Sequence, residues 1–356
     1  MIPAFLALNS GSSSLKYGVY ELGSEERRIM AGTIETTDHA AAIEETFIAL
    51  GSIAIAGVGH RIVHGGAEET GPVLVDDALV ARLEGVTELA PLHVPPALAV
   101  LAAARSRHPD LPHVACFDTA FHATLPEVAR RLPIPDRFVA RGARRYGFHG
   151  LSFESVVATL APLPARVIVA HLGSGSSLVA LRDGRSVDTT MGLTPTGGIL
   201  MGTRSGDLDP GVLLWLLRQV SAEELAHIVE KESGLLAIGG TADVRALVER
   251  DDPRAARALD AFSYGVKKAI GSFIAVLGGL DMLVFTGGIG EHSPEVRVRS
   301  CAGLEGLGVV LDPGRNDRSE GVVSAARSAV MVRVVKTHEN LVIARQTRDV
   351  VTSLSR

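Results

Sequence analysis

Aromatic side chains make up only 4% of the 356 residues, with a single tryptophan, and cysteine occurs just twice. With few rings to stack bases and a formal charge of −5, the chain lacks the footprint of a nucleic-acid binder and has no pull toward an anionic membrane. Cys116 and Cys301 form neither a disulfide framework nor a metal-binding spacing, which fits a reducing compartment. No Cys-His pattern suits zinc. The N-terminal apolar run is short and has no basic segment before it, so a cytoplasmic location is expected rather than secretion or membrane insertion. Low-complexity tracts are missing as well.

What is present is an α/β pattern long enough for two cores. An apolar run from Phe5 leads into Asn9-Ser-Gly-Ser-Ser-Ser-Leu-Lys16 and a second alternating run to Leu22, a strand, hairpin turn and strand. The turn's N–H groups and hydroxyls could cradle phosphate, although it has neither P-loop spacing nor a dinucleotide fingerprint. The pattern returns in Val167-Ile-Val-Ala-His-Leu-Gly-Ser-Gly-Ser-Ser-Leu178, offset by 163 residues when Ser13 is laid on Ser176. Two similar domains with hairpins facing one another across a cleft are expected. Recurrence of small residues in turns is the plainer alternative.

In chain order, Glu25-Glu26-Arg27-Arg28 reads as a solvated turn or strand end, and residues 40–50 as a helix. A strand over 53–58 delivers His60-Arg-Ile-Val-His-Gly-Gly66 at its tip, where Arg61 either clamps a carboxylate or phosphoryl oxygen or pairs with a domain carboxylate. Residues 88–96 form a Pro-rich turn before a helix over 97–106; His93 either faces a ligand or is bonded into that turn. A strand from His113 ends in Asp118, placed for a metal or reacting group or for capping the segment after it. The cationic, glycine-rich stretch 141–150 suits the floor of a pocket for an anionic substrate, with His149 as a donor. The long loop 188–210 offers Arg204 as a second oxyanion clamp, while Asp209 caps a helix over 211–219 in which Trp215 is expected to pack. A helix over 222–231, a loop over 239–245 and helix over 253–277 follow. A strand over 281–286 then runs into Gly287-Gly-Ile-Gly290 and a helix from about Ser293, a junction able to approach a nucleotide. A final strand over 330–335 leads to Glu339 and a C-terminal helix.

The order of these motifs resembles the acetate kinase family, within the acetate and sugar kinase, Hsp70 and actin fold group. The residues 9–16 look like its opening signature, and Met201-Gly-Thr-Arg-Ser-Gly-Asp-Leu-Asp-Pro210 looks like its second. The sequence His60 to Gly66, Phe117-Asp-Thr-Ala-Phe-His122, Tyr146-Gly-Phe-His-Gly150, Phe285-Thr-Gly-Gly-Ile-Gly-Glu291 and Glu339 keeps the intervening pattern in order over essentially the whole chain.

The resemblance implies duplicated ribonuclease-H-like domains: a first over 1–122 completed by the helix 341–356, and a second over 123–340 carrying the nucleotide site and a homodimer interface. It implies reversible transfer of the ATP γ-phosphoryl group to acetate, with Mg2+ (Mn2+ as a substitute). The alternatives are propionate or butyrate as acceptor, or an inactive nucleotide-binding relative. By motif, Arg61, Asp118, His149 and Arg204 would be catalytic. Asn9, Asp118 and Glu339 would hold the metal, while Val63, Leu92, His93, Phe148 and Pro195 would join Arg61 around the acid. Val63, Leu92, Phe148 and Pro195 are equally readable as core. Ser12, Ser14, Lys16, His171, Gly173, Ser174, Gly175, Asp243, Arg245, Gly287, Gly288 and Gly290 would approach the nucleotide. The chain departs from the family at Ser174, usually asparagine, at Gly197, usually glutamate, and at Leu151-Ser-Phe153, usually threonine-serine-histidine. It is also some tens of residues shorter than usual.

Overall fold

The first strand, β1 (Ala4–Ser10), is buried along its whole length, as an apolar run covered on both faces must be. It pairs antiparallel with β2 (Ser14–Leu22), which pairs antiparallel with β3 (Glu26–Glu35). On its other side β1 runs parallel to β4 (Ile55–Ile62), and β4 parallel to β6 (His113–Phe117), with β5 (Val73–Leu74) antiparallel at the edge. The order is therefore β3-β2-β1-β4-β6-β5. This computed structural model describes residues 2–11, 14–36, 38–319 and 321–354.

A second six-stranded sheet repeats the plan. Its members are β7 (Arg166–Leu172), β8 (Ser176–Arg182), β9 (Arg185–Thr189), β10 (Met282–Thr286), β11 (Gly321–Val322) and β12 (Met331–Val334). They lie in the order β11-β12-β10-β7-β8-β9. Here β7, β10 and β12 are parallel, β8 and β9 antiparallel at one edge, and β11 antiparallel at the other. Ala4 and Arg166, Ser10 and Leu172, and Ser14 and Ser176 stand at corresponding strand ends, one residue away from the alignment that sequence likeness alone favours.

By contacts the chain forms two compact units, one of Met1–Ala123, Phe148–Ser155 and His338–Arg356, the other of Thr124–Gly147 and Val156–Thr337. In the first, alternate side chains of β1 serve opposite layers. Leu6 and Leu8 pack with Ile43, Val100 and Ala104 from the helices His39–Leu50 and Val94–Arg107; Phe5 and Ala7 pack with Val342, Ile343 and Ala344 from the helix Glu339–Leu354. Each fully buried Leu, Ile, Val or Phe among them contributes about 1.5–3 kcal/mol. Gly59 lets that last helix lie directly on β4, since a Cβ there would stand 2.1 Å from Thr347 Oγ1. In the second unit the helix Pro253–Leu277 lays Phe262, Val266, Ile270 and Phe273 against Ile168, Ala170 and Ala180. It starts at Asp252, whose Oδ1 accepts from Arg254 N and Ala255 N, and stops at Gly278 with φ 71°.

Several expectations need correction. The strand expected over 53–58 runs on through Ile62, so Gly59, His60 and Arg61 are ladder residues rather than a tip. The helix expected from 97 begins at Val94, because Pro95 and Pro96 fit a first turn that needs no N–H. Of the loop expected over 239–245, Gly239 ends the helix Gly234–Gly239 and Val244 and Arg245 open the helix Val244–Glu249. Trp215, expected to pack, is 58% exposed on the helix Pro210–Leu216. No helix among the described residues is long and apolar enough to cross a membrane.

Candidate active site

In the first unit the carboxyl ends of three parallel strands bring three candidate side chains together: Asn9 from β1, Arg61 from β4 and Asp118 just past β6. Arg61 donates to Asp118 Oδ2 twice, from Nε at 3.0 Å and Nη2 at 2.6 Å, and its Nη1 donates to Asn9 Oδ1 at 3.1 Å. Asn9 Nδ2 donates in turn to Glu339 Oε2 at 3.0 Å, at the first turn of the helix Glu339–Leu354. Four residues scattered through the sequence thus form one hydrogen-bonded chain. The domain carboxylate that the sequence left open as a partner for Arg61 is Asp118 itself.

Burial penalises both members of this ion pair, and each offsets the penalty on the other. Desolvation alone would lower the Arg61 pKa; Asp118 and Glu339 more than reverse it, so Arg61 stays cationic. The Asp118 carboxyl is raised above its ordinary range, first by burial and further by Glu339, against the lowering from Arg61 and the Leu151 amide hydrogen bond.

Asp118 O accepts from Gly150 N at 2.9 Å, which ties the segment around His149 to the same strand end. A Cβ at Gly150 would fall 2.2 Å from that carbonyl oxygen, so this approach requires glycine. His149 itself has φ 59°, a left-handed conformation that costs a histidine some backbone strain. Phe148 and Val63 are buried nearby in sequence space to these groups, and the edge of the Phe148 ring meets His64, with centroids 5.4 Å apart. Phe148 O accepts from His122 Nε2 at 3.0 Å. Leu92 is half-buried, and His93 is the cap of the helix Val94–Arg107 without a side-chain hydrogen bond to that helix. Lys16 lies opposite Asn9 in the β1–β2 ladder and Ser14 opens β2. Ser12 lies outside the described residues.

As oxygen donors, Asp118, Glu339 and the Asn9 amide suit a hard cation. Among the described residues no group of three or more His, Cys, Asp or Glu forms a cage for a metal. Mg2+ held by one or two carboxylates together with substrate phosphates needs none.

In the second unit the turn after β7 holds Gly173, Ser174 and Gly175, closed by Ser176 Oγ, which accepts from Gly173 N at 3.1 Å. His171 is buried beside Thr286 in the β7–β10 ladder. Gly287 follows Thr286 so closely over Leu172 that a Cβ would come within 2.7 Å of its carbonyl oxygen. Gly202 N donates to Ser174 O at 3.2 Å, and Gly202 faces Ala242, next to Asp243. The candidates His171, Gly173 to Gly175, Asp243 and Gly287 are therefore neighbours. Asp243 caps the helix Val244–Glu249 by accepting from Arg245 N at 2.8 Å; Gly288 is exposed and Gly290 buried. Arg204 Nη1 donates to Pro195 O at 3.2 Å, which brings those two together.

Within the stretch 141–150 read as a pocket floor, Arg145 is engaged by backbone carbonyls. Its guanidinium donates to Ala129 O at 3.1 Å and to Thr189 O at 2.8 Å, so it clasps loops. Glu291 was missed as a site residue: its Oε1 accepts from Gly287 N at 3.1 Å and Thr337 N at 3.4 Å and holds the glycine turn. The acid closing the Gly287-Gly-Ile-Gly-Glu run was the signal available.

A profile of the acetokinase family matches residues 36–345. The chain is 42% identical over 388 residues to the acetate kinase of Rhodopseudomonas palustris, covering 97% of this chain and 98% of that one. It is also 42% identical over 382 residues to the propionate kinase of Citrobacter rodentium, covering 96% and 95%. The crystal structure of a propionate kinase from Francisella tularensis superposes with a TM-score of 0.89 at 33% identity, covering 98% and 99%.

Proposed function

Because this chain belongs to the acetokinase family, we propose that it transfers the γ-phosphoryl group of ATP reversibly to acetate, giving acetyl phosphate and ADP. The chain is an ATP-dependent phosphotransferase with the duplicated ribonuclease-H-like fold of acetate and sugar kinases, Hsp70 and actin. Its class of acceptor is a short-chain carboxylate. The observation that carries the reading is the hydrogen-bonded chain Asp118–Arg61–Asn9–Glu339, a carboxylate, a cation and an amide at strand ends joined to a second carboxylate at a helix start.

In the proposed reaction a carboxylate oxygen of acetate forms a bond to the γ-phosphorus while the bond from that phosphorus to the bridging oxygen breaks, its electron pair leaving with ADP. No covalent enzyme intermediate is needed; aligned oxygens and compensated charge suffice. Arg61 and Arg204 orient the acid and offset charge on the transferring group. His149 donates to its equatorial oxygens. Asp118 and Glu339, supported by Asn9, would hold Mg2+, which when bound neutralises phosphate charge. Val63, Leu92, Phe148 and Pro195 wall the methyl group beside His93. Ser14, Lys16, His171, Gly173, Ser174, Gly175, Asp243, Arg245 and the Gly287–Gly290 turn serve the nucleotide.

We also propose a homodimer formed through the second unit, for which the exposed Val212, Leu214, Trp215 and Leu217 speak. Propionate is the second acceptor reading, favoured by equal identity to an acetate and a propionate kinase.

The test is purified protein with ATP, Mg2+ and a panel of two- to four-carbon acids, trapping acyl phosphate as hydroxamate. Hydroxamate strongest with acetate is expected. Nucleotide binding without product from any acid would leave only the inactive-relative reading.

A further inference from the structure

We infer that Arg297 is a positioning residue for the nucleotide, a buried cation that fixes the Gly287–His292 turn from behind. The inference rests on the nucleotide role proposed above for that turn.

Arg297 belongs to the helix Pro294–Cys301 and is 0% exposed, the largest side chain wholly inside this protein. Among the described residues no carboxylate is hydrogen-bonded to it. Instead the guanidinium makes five bonds to neutral oxygens. Nε donates to Asn316 Oδ1 at 2.7 Å, Nη1 to Gly290 O at 2.8 Å and Glu291 O at 3.1 Å, and Nη2 to Asn316 O at 2.6 Å and Ser319 Oγ at 2.8 Å. Asn316 is held in turn, donating from Nδ2 to Pro294 O at 3.1 Å. Burial lowers the Arg297 pKa to about 10, which leaves it charged at neutral pH.

The need for this arrangement lies in the chain before it. Helical continuation would satisfy Gly290 O with the N–H four residues on, but that residue is Pro294, which has none. The turn is only six residues long, contains three glycines and has weak helical tendency of its own. Glu291 Oε1 fixes its start by accepting from Gly287 N, and Arg297 fixes its end. Between them the Gly288 backbone stays exposed, with open space where a Cβ would be. A lysine would supply the charge without the planar fork that joins Gly290, Glu291 and Asn316.

The test uses the full chain with Arg297→Lys and Ser319→Ala, the latter removing one of the five acceptors. Binding of Mg-ADP is measured by calorimetry, the KM values for ATP and acid separately, and thermal melting alongside. For folded Arg297→Lys, the ADP Kd and the KM for ATP should rise about tenfold, with kcat and the KM for acid within about twofold. Ser319→Ala should weaken ADP binding by about two- to threefold. Unchanged ADP binding in Arg297→Lys, with only a lower melting temperature, would reduce Arg297 to a structural role. Should Arg297→Lys not fold, Ser319→Ala decides: unchanged ADP affinity there overturns the inference. Wild-type protein that binds no ADP sinks the nucleotide reading, and the inference with it.

Discussion

Arg61 and Asp118 stand 57 residues apart in the chain and share two hydrogen bonds onto one oxygen, Asp118 Oδ2, at 3.0 and 2.6 Å. That leaves Arg61 Nη1 on Asn9 and sets the guanidinium plane by two neighbouring strands. Asp118→Asn removes the charge that keeps Arg61 comfortable inside the unit. Breaking a buried pair from one side costs about 3–5 kcal/mol, and here the partial exposure of Arg61 places the effect at the low end. We expect a lower melting temperature and a turnover reduced about a hundredfold or more. Normal kcat in a folded Asp118→Asn protein would remove Asp118 from the reaction.

Arg204→Ala should behave differently. Arg204 donates to Pro195 O at 3.2 Å and to Met201 Sδ at 3.8 Å from a loop rather than from a strand or helix of the core, so the fold should survive. Loss of one cation that stabilises transition-state charge lowers kcat by about 10²–10³. Circular dichroism and turnover at saturating substrates separate the two effects; folded protein with near-normal turnover would defeat the assignment.

Val63 is buried immediately after β4, two residues beyond Arg61. Val63→Ala should make room for one more methylene and raise the propionate-to-acetate ratio of kcat/KM, by no more than about 1–3 kcal/mol. The cavity should cost about 1–2 kcal/mol of stability. An unchanged ratio in active protein would return Val63 to the core.

Acid should destabilise the first unit through its buried histidines. Burial lowers the His122 pKa from 6.5 to about 4, outweighing the hydrogen bond to Phe148 O, and it lowers those of His60 and His113 in the same direction. Between those values the unfolded chain takes up a proton that the folded chain refuses, so stability rises with pH. The contribution is present above about 6.5 and lost as pH falls toward 4, about 3 kcal/mol for His122. Denaturant melts from pH 7 to 4 should show this slope, and His122→Gln should make it shallower. An equal slope in both proteins would assign the acid sensitivity elsewhere.

The helix Pro210–Leu216 has no buried residue, and Leu214 and Trp215 are 60% and 58% exposed. If a second copy covers it, Trp215→Glu should shift the protein from dimer to monomer in sedimentation velocity at micromolar concentration. A monomeric wild type would dispose of the proposed dimer.

The parts of the fold that could be read from sequence are those where one physical signal dominates. β1 shows as an unbroken apolar run, and the helix Pro253–Leu277 shows through Asp252, Pro253, its apolar stripe and Gly278. β4 was cut short because Gly59, His60 and Arg61 interrupt the apolar pattern, although Gly59 serves helix packing and His60 is buried against His113 at 2.9 Å. The candidate site was legible as motifs, whereas the bond from Asn9 to Glu339 joins the two ends of the chain and leaves no local trace. Arg297 was invisible for another reason. It sits in a polar helix where an arginine reads as solvated, and its burial is made tolerable by backbone oxygens that sequence does not display.

The chain leaves the first unit after Ala123, returns for Phe148–Ser155, and returns again at His338. During synthesis this unit is therefore begun before the second unit and finished after it. Until the helix Glu339–Leu354 has emerged from the ribosome, Phe5, Ala7, Val114 and Cys116 lack the cover of Val342, Ile343 and Ala344, and Asn9 lacks Glu339. The second unit, by contrast, has all its strands once Val334 has emerged. All residues of the second unit are thus synthesised before the first unit can be completed, and a nascent chain stalled before His338 would expose one face of β1 as a target for chaperones and proteases.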